Sequence, residues 1–240
     1  MQILHESDEI EISYEPGISG TAIVSFSGIG LRMGGIQIAE FRKSLAGMSN
    51  HLYFVKDKTR HWYNSSLDEI TKLLNEDFEQ RGVKNVLTLG NSMGGFGAII
   101  FAGRLSGCRS AIAFAAQSSV DPSIVPWEQR YTKYTDTVSH WAGLDASKLL
   151  APDVNYTLIY GDKSGIDIRH ATRMAETDCP GMSMYLIVGA AHAVAGFLKR
   201  NRVLRLLIQV LVANGGRSLD ARAVLHDMEY RAPMLAPGFH

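Results

Sequence analysis

NVLTLGNSMGGFGAIIFAGRL, at residues 85–105, is the stretch that decides the fold of this 240-residue chain. It begins with a short run of apolar and β-branched residues, which is typical of a strand covered on both faces. A glycine-rich turn with a serine at its centre follows, and the stretch ends in an apolar run that favours a helix. Strand, tight turn and helix in this order form the unit from which parallel sheets are built.

The same alternation continues on both sides of this stretch. Strand-like runs lie at Glu9–Tyr14 (alternating, and so an edge strand), Thr21–Phe26, His51–Val55, Ser110–Ala115, Asn155–Tyr160 and Ser183–Val188. Helical patterns lie at Ile36–Leu45, Ser66–Gly82, Ile168–Glu176 and Ala193–Ala213. The second of these opens with a capping box formed by Ser66 and Glu69 and ends at Gly82. The pattern predicts one α/β domain over residues 1–240, with a mostly parallel β-sheet and helices on both faces.

Two segments depart from the alternation. Residues 117–154 are too long for a plain connection and are rich in aromatic side chains, which is typical of a lid-like insertion. Residues 217–240 form a C-terminal tail that could pack on the domain or on a second subunit, which leaves a homo-oligomer open.

Composition excludes several classes of function. Twenty-four basic residues balance twenty-four acidic ones, so no nucleic-acid partner is expected. Two cysteines cannot form a disulfide framework and fit a reducing compartment. The polar, acidic start lacks the features of a secretory signal, and no apolar run approaches the roughly 20 residues of a spanning helix. We therefore expect a cytoplasmic protein without a membrane partner.

The glycine-rich turn carries the chemistry. Gly90-Asn91-Ser92-Met93-Gly94 is a G-x-S-x-G sequence between a strand and a helix, where the two glycines allow a turn too tight for a Cβ atom. Such a turn presents the serine hydroxyl as a nucleophile. The amide of Met93 then lies at a helix N-terminus and can stabilise a developing oxyanion.

A serine nucleophile needs a base and an acid further along the chain. His192 follows the last predicted strand and meets the requirement for the base. Asp162, at the end of the preceding strand, is the favoured acid. Asp167 is the alternative, although its place just before a predicted helix is also explained by an N-cap role.

Other candidate site residues follow the strands at the same edge of the sheet. The loop after Thr21–Phe26 contributes Ser27, Gly28 and Ile29, and an amide of Gly28 or Ile29 is the expected second oxyanion donor. Ligands of open α/β sheets bind outside the carboxyl ends of the strands. The candidate substrate-binding residues are therefore Ser27, Asp57, Arg60, Trp127 and Tyr131. No metal ligand is predicted.

The order of Ser92, the aspartate and His192, with GNSMGG between strand and helix, resembles the α/β-hydrolase family. The resemblance covers about Thr21 to Ala213. It implies an eight-stranded, mostly parallel sheet without a large cap domain. It also implies a Ser–His–acid triad that works through an acyl-enzyme without metal or organic cofactor.

The expected function is that of a serine hydrolase acting on a small-molecule or glycan ester, such as an acylated sugar or a small metabolite. Aromatic faces and two arginines near the site suit a hydroxylated or anionic ligand. A thioesterase or acyltransferase would use the same acyl-enzyme. A non-catalytic hydrolase-like binding protein is the alternative from another class.

Overall fold

A computed structural model describes residues 1–30, 34–215 and 224 of the chain. The strands are β1 (Gln2–Glu6), β2 (Ile10–Glu15), β3 (Thr21–Phe26), β4 (His51–Asp57), β5 (Asn85–Asn91), β6 (Cys108–Phe114), β7 (Asn155–Gly161) and β8 (Met182–Ile187). The helices are α1 (Arg42–Leu45), α2 (Leu67–Arg81), α3 (Met93–Ala102), α4 (Thr132–Thr135), α5 (Gly165–Ala175), α6 (Val194–Arg200) and α7 (Leu204–Ala213), and a 3₁₀ turn spans Ala146–Lys148.

In the described residues, eight strands form one sheet in the order β1-β2-β4-β3-β5-β6-β7-β8. Strand β2 runs antiparallel to both of its neighbours, and every other neighbouring pair is parallel. The predicted α/β fold class, a mostly parallel sheet with helices on both faces, is confirmed.

The parallel register brings the chemistry-bearing loops together. Phe26 at the end of β3 pairs with Gly90 at the end of β5, and Gly90 pairs in turn with Ala113 near the end of β6. Strands β7 and β8 continue the sheet in the same direction. The loops that follow these strands therefore meet at one edge, where ligands of such sheets bind.

The apolar side chains form a core on each face of the sheet. One core contains Phe26, Phe101 and Tyr156, and the other contains Phe54, Ile112 and Leu207. This is why the central strands are apolar at nearly every position rather than at alternate ones.

The structure differs from the sequence prediction in four places: one strand, two helices and one helix cap. Glu9–Tyr14 was expected at the edge of the sheet, but the unpredicted strand β1 covers β2 and takes the edge. Only Arg42–Leu45 of the predicted helix Ile36–Leu45 is helical, because Phe41 before it has a left-handed φ of 59°.

The predicted helix Ala193–Ala213 is divided into α6 and α7, with Arg202 at a φ of 63° between them. The capping box is wrong, since the Ser66 side chain makes no capping bond and donates instead to Glu9 at 3.0 Å. Apart from Val224, the tail at residues 217–240 lies outside the described residues.

Candidate active site

Ser92 lies on a turn between β5 and α3 that only glycine permits. A Cβ at Gly90 would lie 1.9 Å from the carbonyl oxygen of Gly94, and one at Gly94 would lie 2.1 Å from that of Phe26. The serine itself has φ 56° and ψ −120°, a conformation that non-glycine residues rarely adopt. Its side chain is thereby raised above the end of the sheet, as the G-x-S-x-G motif predicts.

The turn brings Ser92 and His192 into contact although a hundred residues separate them. The Ser92 Oγ lies 2.9 Å from Nε2 of His192. On the other side of the ring, Nδ1 lies 2.9 Å from Oδ2 and 3.0 Å from Oδ1 of Asp167. An ionised carboxylate only accepts, so Nδ1 carries a proton and Nε2 is free to accept the serine hydroxyl proton.

Asp162, the favoured acid, does not contact His192. Its carboxylate accepts from the Gly189 amide at 2.7 Å and pairs with Lys163 at 3.1 Å. Asp167 takes the place beside the histidine, and the N-cap role expected for it belongs to Ser164. Since α5 begins earlier than predicted, at Gly165, Asp167 lies in its first turn with its carboxylate free for the imidazole.

The carboxylate of Asp167 is almost fully buried and stays ionised. Burial by itself would raise its pKa, but the hydrogen bond from His192 and the positive charge of Arg130 lower the pKa to about 2. Arg130 Nη1 donates to Asp167 Oδ1 at 2.7 Å. A charged carboxylate at neutral pH can orient the imidazole and stabilise its protonated form.

The loop after β3 passes directly beside the serine turn. A Cβ at Gly28 would lie 3.2 Å from the carbonyl oxygen of Asn91 and 3.4 Å from Oε1 of Glu40. The Gly28 backbone therefore lies next to the serine turn and close to the Glu40 carboxyl. Gly28 stays a candidate for an oxyanion hole together with Ile29 and Met93, which are both buried.

Glu40 itself is an unusual neighbour for such a loop. Its Oε2 is sealed from solvent and has no hydrogen-bond partner among the described residues. Burial raises the pKa of this carboxyl to about 7, although the bond from Gly28 acts in the opposite direction.

Three of the predicted substrate-binding residues serve the fold instead. Ser27 is fully buried and donates from Oγ to the carbonyl of Ile38 at 2.7 Å. The buried Asp57 carboxylate accepts from the amides of Arg60 at 3.0 Å and Tyr63 at 2.8 Å. The guanidinium of Arg60 donates to the carbonyls of Gly35 and Lys58. Their polar groups are therefore occupied within the protein.

The two predicted binding residues of the insertion (residues 117–154) lie in different places. Trp127 packs under the guanidinium of Arg169, 4.1 Å from its ring centroid, and against His170. Tyr131 lies over the serine, with its hydroxyl 3.1 Å from Nε2 of His192 and 3.5 Å from Oγ of Ser92.

Gln117, which the sequence reasoning did not single out, also contacts the serine. Its Nε2 lies 3.2 Å from Ser92 Oγ and 3.3 Å from the Tyr131 hydroxyl. Its Oε1 accepts from Trp62 Nε1 at 3.1 Å. Its place just beyond the end of β6 is the one sequence signal that could have indicated it.

A buried ionic network anchors the insertion beside Asp167. Glu128 pairs with Arg130 and, at 2.9 Å, with Nε2 of His170. The amide of Ser118 donates to Nδ1 of His170 at 3.1 Å, so the proton of this imidazole is on Nε2 and faces Glu128. Burial lowers the pKa of His170. Burial opposes the ionisation of Glu128, yet the bonds from His170 and Arg130 lower its pKa to about 2.

Among residues 1–30, 34–215 and 224, no three His, Cys, Asp or Glu side chains form a group that could hold a metal ion. Across the same ranges, each helix is too short or too polar to cross a lipid bilayer.

The sheet topology of the chain is that of the α/β-hydrolase fold, which two solved structures share. The structure is similar to that of an α/β-hydrolase enzyme from a sediment metagenome of the Mar Chica lagoon in Morocco, with a TM-score of 0.53 and 16% identity. The similarity covers 84% of this chain and 96% of that enzyme. A carboxylesterase of the thaumarchaeon Nitrososphaera gargenis is similar over 89% of this chain and 98% of its own, with a TM-score of 0.56 and 11% identity.

Over less than half of its length, the chain is also similar in sequence to esterases. A family model described as "Putative esterase" matches residues 45–153, which include the serine turn. An S-formylglutathione hydrolase of Arabidopsis thaliana is 32% identical over 110 residues, which are 44% of this chain and 38% of the relative. The chain thus matches less than half the length of this curated relative.

Proposed function

We propose that the protein is a serine hydrolase that cleaves a carboxylic ester through an acyl-enzyme. The proposal depends above all on the 2.9 Å contact between Ser92 Oγ and His192 Nε2, with Asp167 bound to the other nitrogen of the same ring. A serine hydroxyl becomes an effective nucleophile when a base in such a position accepts its proton.

In the proposed reaction, His192 takes the proton of Ser92 as Oγ attacks the ester carbonyl. Asp167, ionised at neutral pH because its pKa is about 2, stabilises the imidazolium that results. The imidazolium then gives its proton to the departing alcohol oxygen. In the second half, His192 takes a proton from water, which attacks the acyl group, and returns that proton to Ser92.

The amides of Met93 and Ile29 are the proposed oxyanion donors. Met93 is the first residue of α3, where amides lack a partner within the helix. Gly28, considered together with Ile29 in the sequence, is the alternative donor from the loop after β3. Removing one such donor typically costs about 10²- to 10³-fold in turnover.

The proposed substrate is a small-molecule or glycan ester with a short acyl group, such as an acylated sugar or a small metabolite. Ser92 is only 7% exposed, and Tyr131 lies over it, which favours a small acyl group. A thiol ester is a second candidate, because the name of the Arabidopsis relative contains S-formylglutathione, which is a thiol ester. Transfer of the acyl group to an alcohol would use the same intermediate.

A fluorophosphonate probe and a panel of esters test the proposal. We expect the wild type to be labelled at Ser92 and to hydrolyse p-nitrophenyl acetate, acetylated monosaccharides or a short-chain acyl thioester. Ser92→Ala should abolish labelling, and Ser92→Ala and His192→Ala should each lower turnover by about 10⁴-fold or more, with little further loss in the double variant. A folded wild type that is not labelled and hydrolyses none of these compounds would support a non-catalytic binding protein.

A further inference from the structure

Ser92 Oγ contacts more groups than a triad and an oxyanion hole require. Besides His192, the amide nitrogen of Gln117 lies 3.2 Å away, and the hydroxyl of Tyr131 lies 3.5 Å away. Gln117 is fully buried, so its amide cannot exchange these partners for water. A buried amide beside a reacting oxygen is costly unless its hydrogen-bonding groups are well satisfied.

The orientation of the Gln117 amide is determined by its other partner. The indole nitrogen of Trp62 can only donate a hydrogen bond, and it lies 3.1 Å from the end of the Gln117 side chain. The atom at that end must therefore be the carbonyl oxygen. It follows that the two N–H groups face Ser92 and Tyr131, which places a hydrogen-bond donor on the serine oxygen.

Trp62 is in turn held by a strained turn after β4. Arg60, Trp62 and Tyr63 have φ values of 60°, 53° and 59°, a region that side chains other than glycine seldom occupy. The carboxylate of Asp57 stabilises this turn by accepting the amides of Arg60 and Tyr63. Strain of this kind persists where the surrounding structure imposes a position, and it clusters at functional sites.

We propose that Gln117 is a catalytic residue that donates a hydrogen bond to the Oγ of Ser92, and that Trp62 is the positioning residue that orients it. This inference rests on the serine hydrolase function proposed above. It assigns a role in the reaction to a residue outside the triad and the oxyanion hole. It also explains why Asp57, which contacts no part of the triad, is buried at the base of the turn that carries Trp62.

The donor acts when Oγ carries negative charge. In acylation the proton of Ser92 passes to His192 while the bond between Oγ and the carbonyl carbon forms. In deacylation that bond breaks, its electron pair returns to Oγ, and the proton comes back from His192. An N–H group held against Oγ stabilises the partial charge at both stages. The larger effect is expected in deacylation, where Oγ is the leaving group.

The test compares Gln117→Leu with Gln80→Leu, a glutamine exposed on α2 that serves as the matched control. Gln117→Glu is the second variant, because its carboxylate can still accept from Trp62 but presents an acceptor to the serine. Trp62→Phe removes the indole donor and retains an aromatic ring, although a smaller one, at this buried position. For each variant, kcat and KM for p-nitrophenyl acetate, the rate of fluorophosphonate labelling and the thermal unfolding midpoint are measured.

We expect Gln117→Leu and Gln117→Glu to lower kcat by about 10- to 100-fold with KM within about threefold of the wild type. Trp62→Phe should cause a smaller loss, and the double variant Trp62→Phe, Gln117→Leu should be no worse than Gln117→Leu alone. Gln80→Leu should match the wild type.

The outcomes separate this inference from the function on which it rests. If the wild type is labelled and hydrolyses the ester while folded Gln117→Leu or Gln117→Glu keeps its kcat within twofold, the role of Gln117 is overturned and the hydrolase stands. Independent, multiplicative losses in the double variant would overturn the role of Trp62. A wild type without labelling or turnover would contradict the hydrolase itself.

Discussion

Two parts of the protein hold Ser92 in place, one through backbone sterics and the other through side-chain contacts. On the side of the sheet, the turn between β5 and α3 depends on backbone sterics, with Gly90 and Gly94 too close to other backbone atoms for any Cβ. On the opposite side, the insertion at residues 117–154 reaches the triad through side chains, namely Gln117, Arg130 and Tyr131.

The difference between the two sides shows which parts of the site a short sequence motif can describe and which it cannot. The turn depends on residues that are neighbours in sequence, so a short motif describes it. The insertion depends on hydrogen bonds and ion pairs between residues 25 to 61 positions apart, such as Gln117 with Ser92 and Tyr131 with His192. Its contacts become apparent only once the chain has folded.

The largest effect should come from adding a single methyl group to the turn between β5 and α3. Gly90→Ala would place a Cβ 1.9 Å from the carbonyl oxygen of Gly94. Because two backbone segments would have to separate, we expect loss of soluble, folded protein or, if any remains, loss of more than about 10³-fold in esterase activity. Soluble yield, circular dichroism and turnover measure the outcome.

Gly20→Ala is the control for this substitution. Nothing lies within 4 Å of a Cβ at Gly20, so this variant should fold and retain the activity of the wild type. A folded and active Gly90→Ala would mean that the turn tolerates a side chain, and the steric account of the serine would be wrong.

The next effect concerns the choice between two aspartates. Asp167→Asn should lower kcat by about 10⁴-fold, since an amide cannot stabilise the imidazolium and favours the wrong tautomer of His192. Asp162→Asn should lower it less than about threefold, because this carboxylate bonds only to Gly189 and Lys163 among the described residues. A larger loss for Asp162→Asn would reverse the assignment.

This pair of aspartates marks the limit of prediction from the sequence. The contact between Ser92 and His192 could be predicted because steric demand and the order of strands place the two residues. Which aspartate contacts His192 could not be predicted, because this depends on where α5 begins. Ser164 caps the helix one residue before Gly165, which leaves the Asp167 side chain free.

The fold was predictable for a related reason. Central strands such as β3 and β5 are mostly apolar, and this pattern depends only on local residues and burial. The helix predicted at Ile36–Leu45 was wrong because tertiary bonds prevail over its periodicity. Ser25 and Ser27 donate to the carbonyls of Glu40 and Ile38 and hold most of that segment in a non-helical path.

The third prediction tests whether the insertion depends on its ionic network. Glu128→Gln should destabilise the protein by about 3 to 5 kcal/mol, because His170 loses its charged acceptor and the buried Arg130 keeps only Asp167 of its two carboxylate partners. At about 2–4 °C per kcal/mol for a domain of this size, the unfolding midpoint should fall by about 6–20 °C. Differential scanning calorimetry measures the shift.

Glu76→Gln is the matched control, since Glu76 pairs with Lys72 on the exposed face of α2. Exposed pairs of this kind contribute about 0–1 kcal/mol, so its midpoint should hardly change. Equal shifts for the two variants would show that the buried network does not stabilise the insertion.

The smallest effect comes from Glu40, whose carboxyl lies beside Gly28 in the loop after β3. Burial raises its pKa to about 7 from the ordinary value of 4.5, so the unfolded chain loses this proton at lower pH than the folded one. Folding stability should therefore fall as the pH rises from about 4.5 to 7, by up to about 3 kcal/mol from this group.

Glu40→Gln cannot ionise and should remove that slope, which makes it more stable than the wild type at pH 8 and nearly equal to it at pH 4.5. Urea unfolding across this range measures the difference, with the exposed Glu79→Gln on α2 as the control. Parallel stability curves for wild type and Glu40→Gln would mean that Glu40 titrates in the folded protein as it does in water, and the account of its burial would be wrong.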